Sequence, residues 1–521
     1  MLDFVWANKR IFVPIIVAFS AVLMALCVMF TELAVLEWVA LVPVVLCLYK
    51  AAEGELSKKR AYLFGLGFFW AYYLVLFHWF LFMYPMDFLG LSSLESVAVV
   101  AFAWLVLSFI QAAFSALSMV LFAIATRSGM FKEKKWLMPI LAAALWVLLE
   151  WGLTLTWLGV PWSRLALGQV DMPAVVQSIS LFGSYFITFL VVLVNFLIAY
   201  ALFYKKRLMA AVAMCAFAAN LALGSLLLLA YNEGERITVA AAQGNISSTD
   251  KWNAELFTET FEVYAKYSAL AAEQGAEIVL LPESVVPYVL EDGDTISSFL
   301  SKLSDNSDIT LLVGAFSHKE GKDYNSIIVF EPDGKINDTV YSKRRLVPFG
   351  EFVPLEGLIK VIIPPLAEIN AFSSEFTPGA GSQVVQTKKA RLGGLICFDS
   401  IYENLARKSV KDGAEILMLS TNDSWFYDSA ALEMHNNQAR LRAIETRRSV
   451  VRAANTGISS VITPTGKILD SIGALQKGLI VEDVEINDGL TLYTRTGNLF
   501  VLLCGAFVIS ATATAIVKRK K

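Results

Sequence analysis

Eight long apolar runs constrain this chain more than any other feature. They lie at about residues 11–30, 33–49, 62–83, 97–125, 137–153, 175–204, 208–230 and 499–517. A helix needs roughly 20 residues to cross the hydrocarbon core of a bilayer, and most of these runs reach that length alone. Those at 33–49 and 137–153 are the shortest. At 56% hydrophobic and only 17% charged, the 521 residues are too apolar for an ordinary water-soluble protein. The apolar residues are also unevenly placed, because 235–490 has the mixed composition of a soluble domain. The expected organisation is therefore a membrane domain of seven transmembrane helices at 1–234 and an α/β domain at 235–490. An eighth transmembrane helix and a basic tail follow at 491–521.

Basic residues set the expected orientation. Lys9 and Arg10, Lys58 to Arg60, Arg127 with Lys132, Lys134 and Lys135, Lys205 to Arg207, and Lys518 to Lys521 fall on alternate sides of successive runs. The intervening short loops hold only Arg164 as a basic residue. By the positive-inside rule both termini face the cytoplasm and 235–490 is delivered outside. Eight spans satisfy that parity. The first run has the charged flank of a signal peptide but no small-residue cleavage site after it, so it reads as an uncleaved anchor. The formal charge is −3 and no basic stripe or nucleic-acid motif is present, so nucleic acid is not an expected partner.

Within 235–490, short β-rich runs alternate with helical stretches. Strands are expected in 236–246, 276–284, 308–316, 325–336, 391–400 and 414–425, and helices in 257–275 and 435–448. A strand pair turning at Pro464–Gly466 is expected in 449–469. This alternation predicts a layered α/β domain, in which function collects just beyond strand ends. No zinc pattern, phosphate-binding loop, dinucleotide fingerprint or G-x-S-x-G elbow occurs, and no metal or other cofactor is expected.

The stretch "GGLICFDS" (393–400) raises the main chemical question. Of five cysteines, Cys27, Cys47, Cys215 and Cys504 lie in apolar runs, and Cys397 is alone in the soluble part. A lone thiol outside the cytoplasm is a liability unless it is buried or used. "LLPESVVP" (280–287) offers Glu283, either as a base or as a turn cap. "YSKRRLVPFGEFVP" (341–354) offers Lys343 and Glu351, either as a functional pair or as a solvated basic loop. A thiol needs a group to take its proton, and an ammonium can stabilise both thiolate and oxyanion, so this set suits acyl transfer. The histidines, His78, His318 and His435, have no suggestive setting, and a base for Cys397 is better sought among carboxylates.

Glu283, Lys343 and Cys397, in that order and those settings, resemble the Glu-Lys-Cys triad of the nitrilase superfamily. With "QGNISSTDKW" (243–252), "LVPFGEFVP" (346–354), "TNDSWF" (421–426), "QARLRAIETRR" (438–448) and "YTRTGN" (493–498) inside eight spans, the chain is similar to the apolipoprotein N-acyltransferases. These are a membrane-embedded branch of that superfamily. The resemblance covers nearly the full length and implies an αββα sandwich on the outer face of the inner membrane. It implies a phospholipid acyl donor, a diacylglyceryl apolipoprotein acceptor and a thioester on Cys397, with no cofactor. Glu351 is implied to orient Lys343, and Asp399 to support the nucleophile. Trp252, Phe398, Asn422, Asp423 and Trp425 are implied to frame the pocket, with core packing or turn capping as their plain alternatives. The family usually has Tyr-Glu after the cysteine, where this chain has Phe398-Asp399.

The apolar segment 355–369 reads either as a buried helix or as a loop dipping into the bilayer. Arg164, among the aromatics of "WLGVPWSR" (157–164), reads as an interfacial anchor or a contact for lipid phosphate. Two other functions share these residues. One is a membrane-tethered amidohydrolase that delivers its acyl group to water. The other is a receptor or transporter whose nitrilase-like domain only binds ligand.

Overall fold

Residues 2–53, 56–86, 91–247, 257–362 and 376–517 are described in the computed structural model. The chain divides into two compact units: Met1–Leu81 with Ala98–Tyr231 and Thr496–Lys521, and Phe82–Val97 with Asn232–Arg495.

The first unit is helical. Six of its described helical stretches are long and apolar enough to cross a membrane: Lys9–Met29, Thr31–Glu53 with a break at 38–41, Ser93–Ala125, Lys135–Gly152, Tyr185–Tyr204 and Arg207–Leu229. The runs at 62–83 and 499–517 form helices Lys58–Leu76 and Leu499–Val517, each of 19 residues. The first of these opens on three consecutive basic residues, Lys58, Lys59 and Arg60, which lower its mean hydropathy. Large apolar side chains such as Phe19, Phe102, Leu226 and Leu503 are more than half exposed, as a lipid-facing surface requires.

Two of the expected spans are interrupted. The run at 175–204 is not one helix: short helices Pro173–Val176 and Ile179–Phe182 end at Gly183, whose φ of 80° is left-handed, and the long helix starts at Tyr185. The run at 33–49 is broken between Ala34–Glu37 and Val42–Glu53. Backbone groups freed by a break inside a membrane must find protein partners, because no water is available. Asn195 supplies them: its Nδ2 donates to Glu37 O at 2.9 Å, and its Oδ1 accepts from Leu41 N–H at 2.8 Å.

Among its described residues the second unit contains thirteen strands: β1 (Glu235–Gln243), β2 (Ile278–Leu280), β3 (Val286–Val289), β4 (Thr310–Lys319), β5 (Lys322–Phe330), β6 (Tyr341–Ser342), β7 (Val385–Gln386), β8 (Arg391–Ile396), β9 (Ile416–Thr421), β10 (Ser449–Ala454), β11 (Ser459–Ile462), β12 (Ile468–Ile472) and β13 (Gly478–Ile486). One sheet runs β13-β1-β2-β4-β5-β6 with β3 added on β4, and the other runs β12-β11-β10-β9-β8-β7. β1, β2 and β4 are mutually parallel, as are β8, β9 and β10.

Alternation along the strands builds three apolar layers. Val239 and Ala241 of β1 face a core shared with Ile396, Ile416, Met418 and Val451 of the other sheet. Ala240 and Ala242 face outward against Phe261 and Tyr264 of helix Phe257–Glu273 and Leu300 of helix Thr295–Ser307. Helices Glu403–Lys411 and Ala431–Thr446 pack on the second sheet. The result is an αββα sandwich.

Helices Thr295–Ser307 and Glu403–Lys411 and strand β13 have no counterpart among the elements expected from the sequence. The first is serine-rich and weakly apolar, and it starts at Asp294, whose Oδ1 accepts from Ser297 N–H at 2.6 Å. The Pro464–Gly466 turn joins β11 to β12, so 449–469 holds parts of three strands rather than one pair.

The two sheets approach closely at Gly394 of β8. A Cβ there would lie 2.4 Å from Cγ of the Tyr341 ring. Gly394→Ala must push that ring aside, and overpacking of this kind costs about 1–3 kcal/mol. It is expected to lower the thermal unfolding midpoint in detergent by several degrees. Gly357→Ala, where an added Cβ meets nothing within 4 Å, should leave the midpoint unchanged.

Candidate active site

Three strand ends deliver three ionisable side chains. β2 runs out at Leu280, and Glu283 follows on a turn where Ser284 has φ 52°. That turn lies directly on β4: a Cβ at Gly314 would sit 2.2 Å from Pro282 O and 2.7 Å from Glu283 Cα. Lys343 follows β6, with its N–H donating to Asn325 O at 2.8 Å. Cys397 follows β8 at φ 46°, in the left-handed region that costs a side-chain-bearing residue roughly 1–2 kcal/mol. Such strain persists only where the surroundings over-determine it, and it collects at functional sites.

Lys343 is the centre of charge. It is 2% exposed, and its Nζ lies 3.0 Å from Glu283 Oε1 and 2.9 Å from Glu351 Oε2. Asn325 of β5 joins the two acids, its Nδ2 donating to Glu283 Oε1 at 2.7 Å and Glu351 Oε1 at 2.8 Å. Asn422 N–H donates to Glu283 Oε2, and Val347 N–H to Glu351 Oε2, each at 2.9 Å. Burial alone would lower the Lys343 pKa, but Glu283 and Glu351 outweigh it and raise it well above the ordinary lysine value. Lys343 is therefore a fixed cation. Burial raises the Glu351 carboxyl against the pull of Lys343.

The half-buried Cys397 thiol feels the same groups. Burial and then the Glu283 charge push its pKa far up, and Lys343 opposes them. Burial and the neighbouring Glu283 charge thus favour the protonated Cys397 thiol over a preformed thiolate.

Asp399 ties the nucleophile's turn to the lysine's strand. Its Oδ1 accepts from Arg345 N–H at 2.8 Å and Arg344 N–H at 3.2 Å. Its Oδ2 accepts from the Tyr341 hydroxyl at 2.7 Å and from Ile396 N–H at 3.2 Å. Phe398 packs edge-on against Tyr402 at 5.4 Å, and the Arg345 guanidinium lies over the same Tyr402 ring at 4.6 Å.

Other expected site residues are placed differently. Asn422 reaches Glu283 through its backbone, while its side chain accepts from Asn455 Nδ2 at 3.2 Å. Asp423 is fully buried, bound to Thr421, His435 and Arg452, and its carboxylate lies within 4.8 Å of the Cys397 thiol. Trp425 is half-buried in the short helix Ser424–Phe426. Trp252 lies outside the described residues. Arg164 belongs to the helical unit and is no interfacial anchor there. It is 1% exposed and donates to Ser184 Oγ and the Tyr185 hydroxyl, each at 3.0 Å.

The sequence reading passed over Asn325 and His435. Asn325 carries no signal beyond a polar residue early in an apolar strand. His435 opens "HNNQARLRAIETRR", and only the fold brings it to the cysteine. Among the described residues, Cys397, Asp423 and His435 form the one group in which three metal-binding atom types converge. The Arg452 guanidinium binds Asp423 Oδ2 and stands 3.2 Å from His435 Nδ1, so a permanent cation already neutralises that acid.

Residues 238–489 match the carbon-nitrogen hydrolase family, and residues 20–197 match the apolipoprotein N-acyltransferase N-terminal domain. The chain is 32% identical to the apolipoprotein N-acyltransferase of Gloeobacter violaceus over 483 residues, 92% of this chain and 89% of that one. It is 32% identical to the protein of that name from Geobacter metallireducens over 388 residues, 71% of this chain and 73% of the relative. For the Synechocystis protein of the same name the identity is 29% over 473 residues, 85% and 87% of the two chains.

The raised thiol pKa sets a pH signature. Alkylation requires thiolate, so the rate at which iodoacetamide modifies Cys397 should keep rising through pH 9 without a plateau near neutrality. Glu283→Gln removes the negative charge that opposes ionisation and should shift that rise to lower pH, even though it removes the proposed base. A plateau below pH 7 in the unsubstituted protein would show a preformed thiolate and exclude this arrangement.

Proposed function

The chain belongs to the apolipoprotein N-acyltransferase family, and on that premise we propose that it moves the sn-1 acyl chain of a phospholipid, through a thioester on Cys397, onto the α-amino group of the diacylglyceryl-cysteine of an apolipoprotein. One observation supports this most directly. A half-buried thiol on a strained turn shares its electrostatic surroundings with the buried Lys343–Glu283–Glu351 cluster, in a chain with six helices fit to cross a membrane.

In the first half of the reaction Glu283 accepts the Cys397 proton as sulfur attacks the ester carbonyl. Negative charge moves to the carbonyl oxygen, where the Lys343 ammonium and backbone N–H groups stabilise it. The C–O bond breaks, Glu283 returns the proton to the departing oxygen, and lysophospholipid leaves. In the second half the acceptor amine attacks the thioester, Glu283 takes its proton, the C–S bond breaks, and Glu283 passes that proton to the departing sulfur, which releases the amide and restores the thiol and the carboxylate. Asn325 and Glu351 hold Lys343 and Glu283 in register through both halves, which is the preorganisation that makes such a site effective. The energy of the ester passes through the thioester, so this chemistry is complete without nucleotide or metal. The two halves share one site and follow ping-pong order.

The same reading places the protein in the bacterial inner membrane with eight spans, both termini cytoplasmic and the sandwich unit periplasmic. Distribution of Lys and Arg supports it. The segment 355–369 is the candidate lipid entry. Its described part, helix Glu356–Ile362, exposes Val361, and residues 363–369 lie outside the described residues. Reporter fusions after Arg207 and Lys521 should read cytoplasmic, and one near Asp333 periplasmic. A cytoplasmic signal at Asp333 would overturn the orientation.

The two half-reactions should be separable through the acceptor. With phospholipid alone the enzyme is expected to accumulate acyl-Cys397, seen by mass spectrometry, and to release about one lysophospholipid per site. A diacylglyceryl-cysteine peptide with a free amine should discharge the thioester, and the same peptide acetylated on its amine should not. Lys343→Ala should slow acylation by about 100-fold or more through loss of an oxyanion donor. Discharge by water as fast as by the free amine would favour an amidohydrolase instead.

A further inference from the structure

The Cys397 carbonyl is held from two sides. Ser400 Oγ donates to it at 2.9 Å, and His435 Nε2 stands 3.2 Å from it and 3.0 Å from Ser400 Oγ. His435 is 1% exposed and projects from helix Ala431–Thr446. Its other nitrogen, Nδ1, lies 2.9 Å from Asp423 Oδ1. Burial alone would raise the Asp423 carboxyl, but Arg452 and His435 outweigh it and hold the acid well below the usual carboxylate range. The Cys397 carbonyl can only accept, so its contact with Nε2 is a hydrogen bond when Nε2 carries the proton; in that tautomer Nδ1 accepts from the Arg452 guanidinium 3.2 Å away. The arrangement is closely fitted: a Cβ at Gly457, in the loop after β10, would lie 2.3 Å from Asp423 Oδ2.

The Glu283–Lys343–Cys397 chemistry makes no use of this group, yet it grips the peptide that follows the nucleophile. A hydrogen bond accepted by a peptide oxygen polarises the whole amide and strengthens the bond its N–H donates. We propose that His435 is a positioning residue for acyl transfer. Through Nε2–H it binds the Cys397 carbonyl, holds the nucleophile's left-handed turn, and polarises the Cys397–Phe398 peptide so that the Phe398 N–H is a stronger donor to the oxyanion. This rests on the acyl-enzyme reading above and adds a residue to it.

Two substitutions separate the ring nitrogens. His435→Gln carries its amide nitrogen near the Nε2 position, within reach of the Cys397 carbonyl. His435→Asn carries it near Nδ1, where it reaches Asp423 only. Acylation is followed with a phospholipid labelled with carbon-13 at the sn-1 carbonyl, and the thioester C=O stretch on Cys397 is read by isotope-edited infrared spectroscopy. His435→Asn should acylate roughly 10-fold or more slowly at unchanged KM for phospholipid, the size of effect that outer hydrogen-bond partners exert on a reacting centre. Its thioester stretch should move to higher wavenumber. His435→Gln should keep the unsubstituted stretch and most of the rate. Equal rates and equal stretches in the two folded variants would overturn the proposal. If either loses its thermal transition, nitrogen-15 NMR of the histidine-labelled, unsubstituted enzyme reads the ring directly: a proton on His435 Nε2 is expected, and an unprotonated Nε2 would equally overturn the proposal. Failure of the unsubstituted enzyme to form any acyl-Cys397 would instead overturn the acyl-transfer reading, and this inference with it.

Discussion

A buried ammonium between two buried carboxylates is the interaction on which the site depends. Lys343 is almost fully withdrawn from water, and so are Glu283 and Glu351. Isolated charges in such a place would be neutralised, so each exists only because the other two are there. The cluster also spans much of one sheet and touches the other. Glu283 follows β2, Asn325 is in β5, Lys343 follows β6, and the N–H on Glu283 Oε2 comes from Asn422, just beyond β9. Removing one partner of a buried pair costs about 3–5 kcal/mol, because it strands the other charge. The same three groups therefore hold strand ends in place and, in the proposed reaction, hold the proton acceptor and the oxyanion donor at fixed separation.

Cys397, the proposed nucleophile, belongs to the opposite sheet, and a second buried acid binds it to the first. Asp399, two residues beyond Cys397, takes hydrogen bonds from Tyr341, Arg344 and Arg345 on either side of Lys343, and one from Ile396 just before the cysteine. A carboxylate with several donors at fixed angles transmits position well, since moving either segment breaks more than one bond. Phe398, lacking a hydroxyl, contributes packing against Tyr402 instead.

The helical unit follows a different rule. Its helices are held by side-chain packing and by amides that meet broken backbone, as Asn195 does between Ala34–Glu37 and Val42–Glu53. Gln169 does likewise, its Nε2 donating to Ala34 O at 2.9 Å. In a bilayer an unmet N–H or C=O costs several kcal/mol, so these amides permit breaks that a continuous apolar run would not suggest. Arg164 is drawn into the same kind of network, which is why its setting among interfacial aromatics misled.

Apolar run length and the charge between runs sufficed to show a membrane chain carrying one mixed-composition domain, because span length is dictated by bilayer thickness alone. The short β-rich runs of 236–246, 308–316 and 414–425 likewise announced strands, and the polar ends of those at 276–284, 391–400 and 414–425 announced where ionisable groups would gather. Glu283, Lys343 and Cys397 could be singled out from short contexts, because a lone thiol, an acid after an apolar strand and a lysine before a Pro-Phe-Gly turn are each odd locally. Breaks at Gly183 and at 38–41, and the weakly apolar helix Thr295–Ser307, could not be foreseen, since partners far away in sequence stabilise them or cover them. The tertiary structure alone decided that Asn325 bridges the two acids, that Asp423 is bound to His435 and Arg452, and that His435 reaches the Cys397 carbonyl. Those contacts join residues 12 to 42 positions apart, with no spacing rule to announce them. They follow from strand order and register, which local sequence does not encode.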